Sequence, residues 1–246
     1  MSKNDGSGYQ RIGVVPVENT ELTHVRLGTP MGELLRRYWH PVCLSIELED
    51  LPKKIRILNE ELVAFRDGSG RVGVVDSHCM HRGASLEYGR IEKDGLRCCY
   101  HGWHFDIDGT ILETPGEPED SKIRHKVCQG AYPVREVKRL IFAYFGPPNE
   151  IPEFPHYDSI DLPNHELLPY SIHSPSNWLQ ESENAMDPHH SVFLHTRHGG
   201  SQFAGLEHFA ELPVVAYHDR AEGFVYSHAR RINDLIMIRF HDHLTP

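Results

Sequence analysis

Two short stretches carry the strongest structural signal in this chain: Cys79-Met-His-Arg-Gly83 and Cys98-Cys-Tyr-His-Gly-Trp103. Each contributes one Cys and one His, in the patterns C-x-H and C-x-x-H, and 16 residues separate His81 from Cys98. Two thiolates and two imidazoles suit either one zinc ion or a [2Fe–2S] cluster whose two irons have unequal ligands. The sequence therefore predicts a metal centre built from two loops.

The residues that follow the ligands favour the iron–sulfur cluster. Gly83 and Gly102 each end a predicted loop with a residue that tolerates tight turns, so backbone N–H groups can approach bridging sulfides closely. A zinc ion needs only four converging lone pairs and gives no reason for two matched turns. Zinc fingers also place their two His about one helical turn apart. Zinc stays as the alternative.

At these residues the chain resembles the Rieske iron–sulfur family, because CMHRG and CCYHGW match its two ligand loops. The resemblance implies that Cys79 and Cys98 bind one iron and that His81 and His101 bind the other. The chain departs from the family at Cys99, where the family usually has proline or another residue. The C-x-x-H spacing selects Cys98, and Cys99 then either competes as a ligand or packs as a small apolar side chain.

Composition and charge limit the class of protein. The 246 residues carry a formal net charge of −10, which argues against a nucleic-acid partner and against an anionic membrane surface. The five Cys, an odd number with two adjacent, do not resemble a disulfide framework, so a reducing cytoplasm is expected. The polar first ten residues lack a signal-peptide core, and no apolar run approaches the roughly 18 residues of a spanning helix.

Turn residues and β-rich runs divide the chain into four parts, which together predict an α+β protein. Residues 1–39 are a lead-in, irregular over 1–28, followed by a helix from Thr29 (N-cap) through about Tyr38. Residues 40–146 are a small antiparallel β domain, with hairpin signals at 67–70 and 108–109. A proline-rich crossing segment, 147–176, precedes 177–246, an incomplete domain of helix and strands. The predicted strands are Ile55–Leu58, Glu61–Arg66, Val72–Val75, Leu96–Tyr100, His104–Ile107, Leu140–Phe145, Val214–Ala216, Phe224–His228 and Leu235–Phe240, and the predicted helix of the last part is Trp178–His195.

A second set of candidate ligands lies in that last helix. Asn184, Asp187 and His190 are spaced three apart, so on a helix they share a face. His190 and His195 are five apart, about 140° around an ideal helix, so the helix must break or bulge if both bind one ion. Two His and one carboxylate form the open-faced ligand set of non-haem Fe(II) oxygenases. His189 is the rival to His190, and the spacing to His195 favours His190.

With the first motif, this segment makes residues 30–246 resemble the oxygenase component of Rieske ring-hydroxylating oxygenases, closest to the phthalate-dioxygenase-like branch. The resemblance implies that His190 and His195 bind a mononuclear Fe(II) and that Asp187 accepts a hydrogen bond from a cluster-ligand His of a neighbouring subunit. Asn184 would lie near the iron. A capping role is the alternative for Asp187. The family's third ligand is a carboxylate well downstream that matches no position before Pro246, so we expect a C-terminally truncated chain.

The resemblance implies an all-β Rieske domain followed by part of a helix-grip catalytic domain. Electrons from NAD(P)H would pass through a separate reductase and the cluster to the mononuclear iron. The iron would activate O₂ to hydroxylate or dihydroxylate an aromatic substrate, including carboxylated ones. Head-to-tail homotrimers are implied as well. An O- or N-demethylase or other monooxygenase is the alternative, and a non-catalytic Rieske electron-transfer protein is the alternative of another class.

Overall fold

The computed structural model describes residues 17–198, 211–221 and 223–244. The chain separates into one unit at Met1–Ile172 and another at His173–Pro246. The four-part division drawn from the sequence stays a prediction.

The helices of the described residues are α1 (Thr20–Thr23), α2 (Pro30–Leu35), α3 (Trp178–Ala185) and α4 (Thr196–His198), with a π-helical turn at Ser191–His195. Short 3₁₀ turns lie at Ser45–Glu47, Leu86–Tyr88, Ile123–His125, Pro148–Glu150 and Asp158–Ile160. The strands are β1 (Trp39–Leu44), β2 (Lys53–Ile57), β3 (Glu60–Arg66), β4 (Val72–Asp76), β5 (Arg90–Ile91), β6 (Leu96–Arg97), β7 (His104–Phe105), β8 (Ile111–Glu113), β9 (Ala131–Tyr132), β10 (Val134–Val137), β11 (Leu140–Tyr144), β12 (Val214–Arg220), β13 (Gly223–Ile232) and β14 (Leu235–Leu244).

Three antiparallel sheets make up the first unit. The strand orders are β1-β11-β10, β2-β3-β4-β9 and β5-β6-β7-β8. The hairpins predicted at residues 67–70 and 108–109 are confirmed, since β3 pairs with β4 and β7 pairs with β8 across them. The last of the three sheets and the end of β4 position the two candidate ligand loops.

The strand β3 is buried on both of its faces, which explains the continuous apolar run Leu62-Val-Ala-Phe65. Leu62 and Ala64 point into one apolar core, together with Ile141 of β11. Val63 and Phe65 point into a second core, which also contains both candidate ligand cysteines. A strand covered on both sides has no solvent face, so it shows no alternation of apolar and polar residues.

The second unit, taken by itself, is a three-stranded antiparallel sheet in the order β12-β13-β14 with α3 and the π-helical turn before it. Two tyrosine hydroxyls connect one face of this sheet to the end of α3. The Tyr226 hydroxyl donates to the Ala185 carbonyl at 3.1 Å, and the Tyr217 hydroxyl donates to the Met186 carbonyl at 3.1 Å. None of the described helices has the length and apolar character needed to cross a membrane.

The predicted α+β class, with an all-β part first and a helix followed by antiparallel strands, is confirmed. Several boundaries were wrong. Part of the lead-in, predicted to be irregular, forms α1; α2 ends at Leu35, before Tyr38; and β6 ends at Arg97 because Cys98 begins a loop. The helix predicted over Trp178–His195 is not continuous, since α3 ends at Ala185. Strands β12, β13 and β14 are longer than predicted, and the short strands β5, β8, β9 and β10 and the proline-containing β1 were missed.

Candidate metal centres

The first candidate ligand loop, residues 79–84, is closed at its base by a β-bridge between His78 and Ser85. Within the loop the Cys79 N–H donates to the Ala84 carbonyl at 2.8 Å, and the Gly83 N–H donates to the Cys79 carbonyl at 2.7 Å. Gly83 has a φ of +72°, a left-handed conformation that L side chains rarely adopt.

The second candidate ligand loop, residues 98–103, repeats this construction. Its base is the pair Arg97 and His104, where β6 meets β7. The Cys98 N–H donates to the Trp103 carbonyl at 2.8 Å, the Gly102 N–H donates to the Cys98 carbonyl at 3.1 Å, and Gly102 has a φ of +74°. The two loops therefore have equal length and the same hydrogen bonds, and each has the glycine turn that the sequence predicted.

The two loops bring their four predicted ligand side chains together in two pairs. The Cys79 and Cys98 thiols are neighbours in the same apolar core, and each residue is only 3% exposed. The rings of His81 and His101 meet edge-on with centroids 4.8 Å apart, and His101 is exposed. Cys99 is exposed rather than buried with these thiols, so the side chain in the second loop that faces Cys79 is Cys98.

Burial sets the protonation of the free ligand side chains. Burial in the apolar core raises the pKa of the Cys79 thiol to about 11, and the neighbouring Cys98 acts in the same direction. Burial lowers the pKa of His81, and the nearby His101 and Arg82 lower it further. His81 is therefore neutral at pH 7, which leaves a ring lone pair for a metal, whereas a bound metal must displace the proton from the thiol.

This arrangement of donors fits a [2Fe–2S] cluster. The sulfur donors form a buried pair and the nitrogen donors form a more exposed pair, which matches one iron with two thiolates and one with two imidazoles. Trp103 stacks on His81, with ring centroids 4.5 Å apart, and its buried Nε1–H has no hydrogen-bond partner within the described ranges. Across those ranges, no three Cys, His, Asp or Glu side chains converge as ligands of a single ion.

Two side chains that the sequence did not single out hold the ligand loops. Gln129 is 1% exposed and clamps the first loop: its Oε1 accepts from the Met80 N–H at 2.8 Å, and its Nε2 donates to the Asp76 and His78 carbonyls at 3.0 Å each. A lone glutamine 49 residues away along the chain carries no sequence signal for this contact.

Arg97 holds the second loop. Its Nη1 donates to the Gly102 carbonyl at 2.9 Å and its Nε donates to Glu92 at 2.8 Å. Hydrogen bonds from Arg97 and then Arg90 lower the pKa of Glu92 to about 2. The guanidinium thus connects the glycine turn of the loop to the ionised carboxylate of Glu92, which directly follows β5.

The second constellation lies in the turn between α3 and the π-helical turn. Asp187 caps this turn, since its Oδ1 accepts from the His189 N–H at 2.7 Å and its Oδ2 from the His190 N–H at 3.4 Å. The Nδ1 atoms of the two histidines also lie 3.2 and 3.3 Å from the same carboxylate. Partial burial would raise the pKa of Asp187, but these hydrogen bonds outweigh it and lower the pKa.

The π-helical turn brings His190 and His195 together. Their ring centroids are 5.1 Å apart and the rings meet edge-on. Because π-helical hydrogen bonds join residues i and i+5, a spacing of five returns the chain to the same side. The predicted break or bulge between these residues is confirmed. The shared helix face was wrong, because Asn184 lies exposed near the end of α3 whereas Asp187 lies beyond it.

Comparison with known proteins gives the class of the first unit. Residues 38–137 match the Rieske [2Fe-2S] domain family. This stretch contains both ligand loops, so the chain carries a Rieske [2Fe–2S] domain.

Relatives extend the similarity beyond that domain. The chain is 48% identical over 244 residues to the tert-butanol monooxygenase / tert-amyl alcohol desaturase oxygenase subunit of Aquincola tertiaricarbonis, covering 93% of this chain and 51% of the relative. It is 44% identical over 247 residues to the phenoxybenzoate dioxygenase subunit alpha of Ectopseudomonas oleovorans, and this match covers 95% of this chain and 59% of the relative. The solved structure of NdmA from Pseudomonas putida CBB5 matches with a TM-score of 0.59 at 28% sequence identity. The match covers 84% of this chain and 64% of the NdmA chain.

Outside the Rieske domain the chain is similar to the oxygenase subunits of Rieske oxygenases over nearly its whole length, as the resemblance in its motifs predicted. It spans about half the length of the two curated relatives that it matches.

Proposed function

We propose that this chain supplies the [2Fe–2S] cluster site and two iron ligands of a Rieske oxygenase that hydroxylates an aromatic substrate with O₂. The observation that carries the proposal is the presence, in one chain, of two matched ligand loops and of a histidine pair that a π-helical turn aligns. The similarity to oxygenase subunits over nearly the whole chain supports it. A Rieske electron carrier would need the loops but not the aligned histidines.

In this proposal Cys79 and Cys98 hold one iron of the cluster and His81 and His101 hold the other. When bound, such a cluster transfers single electrons at a potential of about −150 to +300 mV, and an Fe(II) with open positions activates O₂. The buried thiols exclude water from the sulfur side. The exposed His101, against which the Tyr100 ring packs at 3.8 Å between centroids, faces the solvent where a partner can approach.

Asp187 orients His190 for iron binding. Because a carboxylate only accepts hydrogen bonds, the contact at 3.3 Å places the proton of His190 on Nδ1 and leaves the Nε2 lone pair for the metal. The Asp187 side chain is 44% exposed. We propose that its accessible oxygen lone pairs accept a further hydrogen bond from a cluster-ligand His of a neighbouring subunit. Capping and bridging are thus compatible roles of one carboxylate.

The remaining predicted ligands and partners complete this proposal. His195 is the second iron ligand, and the exposed Asn184 is a polar residue near the iron. A separate reductase delivers electrons from NAD(P)H, which agrees with the multicomponent systems named for the relatives. The subunits form homotrimers, and the protein acts in the cytoplasm.

Monooxygenation is the second candidate reaction. The relative from Aquincola tertiaricarbonis is named a monooxygenase and desaturase of tertiary alcohols, whereas the relative from Ectopseudomonas oleovorans is named a dioxygenase of an aromatic acid. Product analysis under ¹⁸O₂ separates the two reactions, because dioxygenation incorporates two labelled atoms and monooxygenation one.

The test of the proposed function is Asp187→Asn. Asparagine is as good a helix cap as aspartate, so the turn should form, while the negative charge that orients His190 and bridges to the neighbouring subunit is lost. The cluster should remain reducible by dithionite while product formation falls by at least 100-fold. Asp50→Asn, at an exposed position in the other unit, is the matched control.

Full turnover by Asp187→Asn would contradict the bridging role. Iron analysis tests the wider proposal: an oxygenase should contain three irons per chain and an electron carrier two. A colourless protein that binds zinc stoichiometrically and lacks acid-labile sulfide would exclude both.

A further inference from the structure

One face of the second unit's sheet concentrates histidine and arginine. Because paired residues of an antiparallel ladder point to the same side, alternate residues of β13 share a face with their partners on β14. We call this surface the His–Arg face; it contains Phe224, Tyr226, His228 and Arg230 of β13 and their respective partners His243, His241, Arg239 and Met237 of β14.

The aromatic rings of the His–Arg face form a continuous stack. His241 lies parallel to Tyr226 with centroids 4.5 Å apart, and it lies 5.4 Å from His228. His243 in turn stacks on Phe224 at 4.9 Å. The rings are therefore held in one orientation by their neighbours.

Two nitrogen atoms in this stack are buried and unsatisfied. His228 is 4% exposed, and its Nδ1 has no hydrogen-bond partner among the described residues. The Nε2 atom of His241 is likewise buried without a partner in that part of the chain. Leaving buried polar atoms unpaired destabilises a fold, so such atoms indicate a ligand that pairs with them.

The charges around these nitrogens are positive. Burial and, after it, the nearby Arg230, His241 and Arg239 together lower the pKa of His228 to about 4. Burial also lowers the pKa of His241, followed by Arg239 and His243. Both imidazoles are therefore neutral at pH 7 and keep one N–H donor each, in a positive field that favours an anion.

The His–Arg face lies next to the proposed iron site. Tyr226, in the middle of the stack, donates to the carbonyl of Ala185, and Tyr217 beside it donates to the carbonyl of Met186. These carbonyls immediately precede Asp187 and the histidine pair. Because a strand rises about 3.3 Å per residue, His228 lies about 7 Å further along β13 than Tyr226.

We propose that His228 and His241 bind the carboxylate of an aromatic acid substrate, with Arg230 and Arg239 providing the compensating charge. The inference rests on the proposed function and names the substrate class of that same site. A carboxylate accepts hydrogen bonds from neutral imidazole N–H groups, and its charge is stabilised by the two guanidinium groups. The ring of the substrate then extends from the His–Arg face towards the turn that carries Asp187.

The test is a binding measurement that needs no turnover. Benzoate and its neutral isostere benzamide are titrated into the purified protein by calorimetry. Benzoate should bind at least ten-fold more tightly than benzamide. His228→Leu should weaken benzoate binding at least ten-fold and leave benzamide binding unchanged. His218→Leu is the matched control, because His218 is exposed on β12 and pairs with Val225, on the opposite face of the sheet.

A second measurement uses the wild-type protein, so it does not depend on the folding of a variant. Benzoate should shift the imidazole ¹⁵N resonances of His228 and His241, and benzamide should not. Equal binding of benzoate and benzamide, absence of benzoate binding, or unchanged benzoate binding by folded His228→Leu would each overturn the proposal. Selective benzoate binding by a protein that holds only two irons per chain would retain the carboxylate site and reject the proposed mononuclear iron site.

Discussion

Replacing Gln129 tests whether a single buried side chain holds the first ligand loop in place. In Gln129→Leu the Met80 N–H loses its acceptor, and the carbonyls of Asp76 and His78 lose a shared donor. Leucine is similar in size and suits the surrounding core, so the change removes hydrogen bonds with little change in packing.

The expected loss follows from the number of groups left unpaired. A buried N–H without a partner costs about 1–3 kcal/mol, and a carbonyl, with two lone pairs, costs less. The free energy of unfolding should therefore fall by about 2–4 kcal/mol, which corresponds to roughly 5–15 °C in Tm for a domain of this size. Because these groups flank Cys79, iron and acid-labile sulfide per chain should fall as well.

Gln129→Glu gives a pH-dependent version of the same experiment. One carboxylate oxygen can still accept from the Met80 N–H, but the other faces two carbonyl oxygens, so the folded state favours the protonated form. A raised pKa in the folded state makes the destabilisation small below the unfolded value of about 4.3 and larger as the pH rises above it. Urea denaturation at pH 5 and pH 8 should show this difference.

The control is Gln180→Leu, the same substitution at an exposed position of α3, which should change the free energy of unfolding by less than about 0.5 kcal/mol. If the free energy of unfolding of Gln129→Leu lies within about 0.5 kcal/mol of the wild-type value and its labile sulfide content is unchanged, Gln129 does not hold the first ligand loop.

Three further changes test the ligand loops. Cys98→Ser should abolish the cluster, measured as labile sulfide per chain, whereas Cys99→Ser should retain it, because Cys98 is buried beside Cys79 and Cys99 is exposed. Loss of the cluster in Cys99→Ser would contradict this assignment of the ligand. Hydrogen bonds from Arg97 and Arg90 lower the pKa of Glu92 to about 2. The stability that this carboxylate contributes is therefore fully present above about pH 4.5 and is lost as the pH falls towards 2. Glu92→Gln should therefore lower the free energy of unfolding at pH 7 and reduce its decline over that interval; parallel wild-type and variant curves would contradict this. Gly102→Ala places a Cβ at a φ of +74° with ordinary contacts around it, so only backbone strain should act. The free energy of unfolding, measured by urea denaturation, should fall by about 1–2 kcal/mol. An unchanged free energy of unfolding would show that the turn relaxes freely.

The predicted ligand loops agree with the structure because their signals are local. The spacings C-x-H and C-x-x-H, with glycines at positions 83 and 102, describe tight turns whose hydrogen bonds form within six residues. The hairpins at 67–70 and 108–109 were predicted for the same reason. In each case the backbone conformation is dictated by residues inside the turn.

The helix after residue 177 shows the limit of such reasoning. Periodicity placed Asn184, Asp187 and His190 on one helical face, but α3 ends at Ala185 and Asp187 caps the turn that follows. The sequence required a bulge only on the condition that His190 and His195 bind one ion. The π-helical turn that aligns them has no composition of its own that a single sequence reveals.

The donor set, two thiols and two imidazoles at fixed spacings, can be read from the sequence alone, together with the glycine turns that shape each loop and the choice of Cys98 over Cys99. Two features became visible only once the chain was folded: Gln129 clamps the first loop, and His228 and His241 share one face of a sheet. The physical reason is the range of the interactions: turn geometry depends on neighbouring residues, whereas burial and cross-strand contacts depend on segments that folding alone brings together.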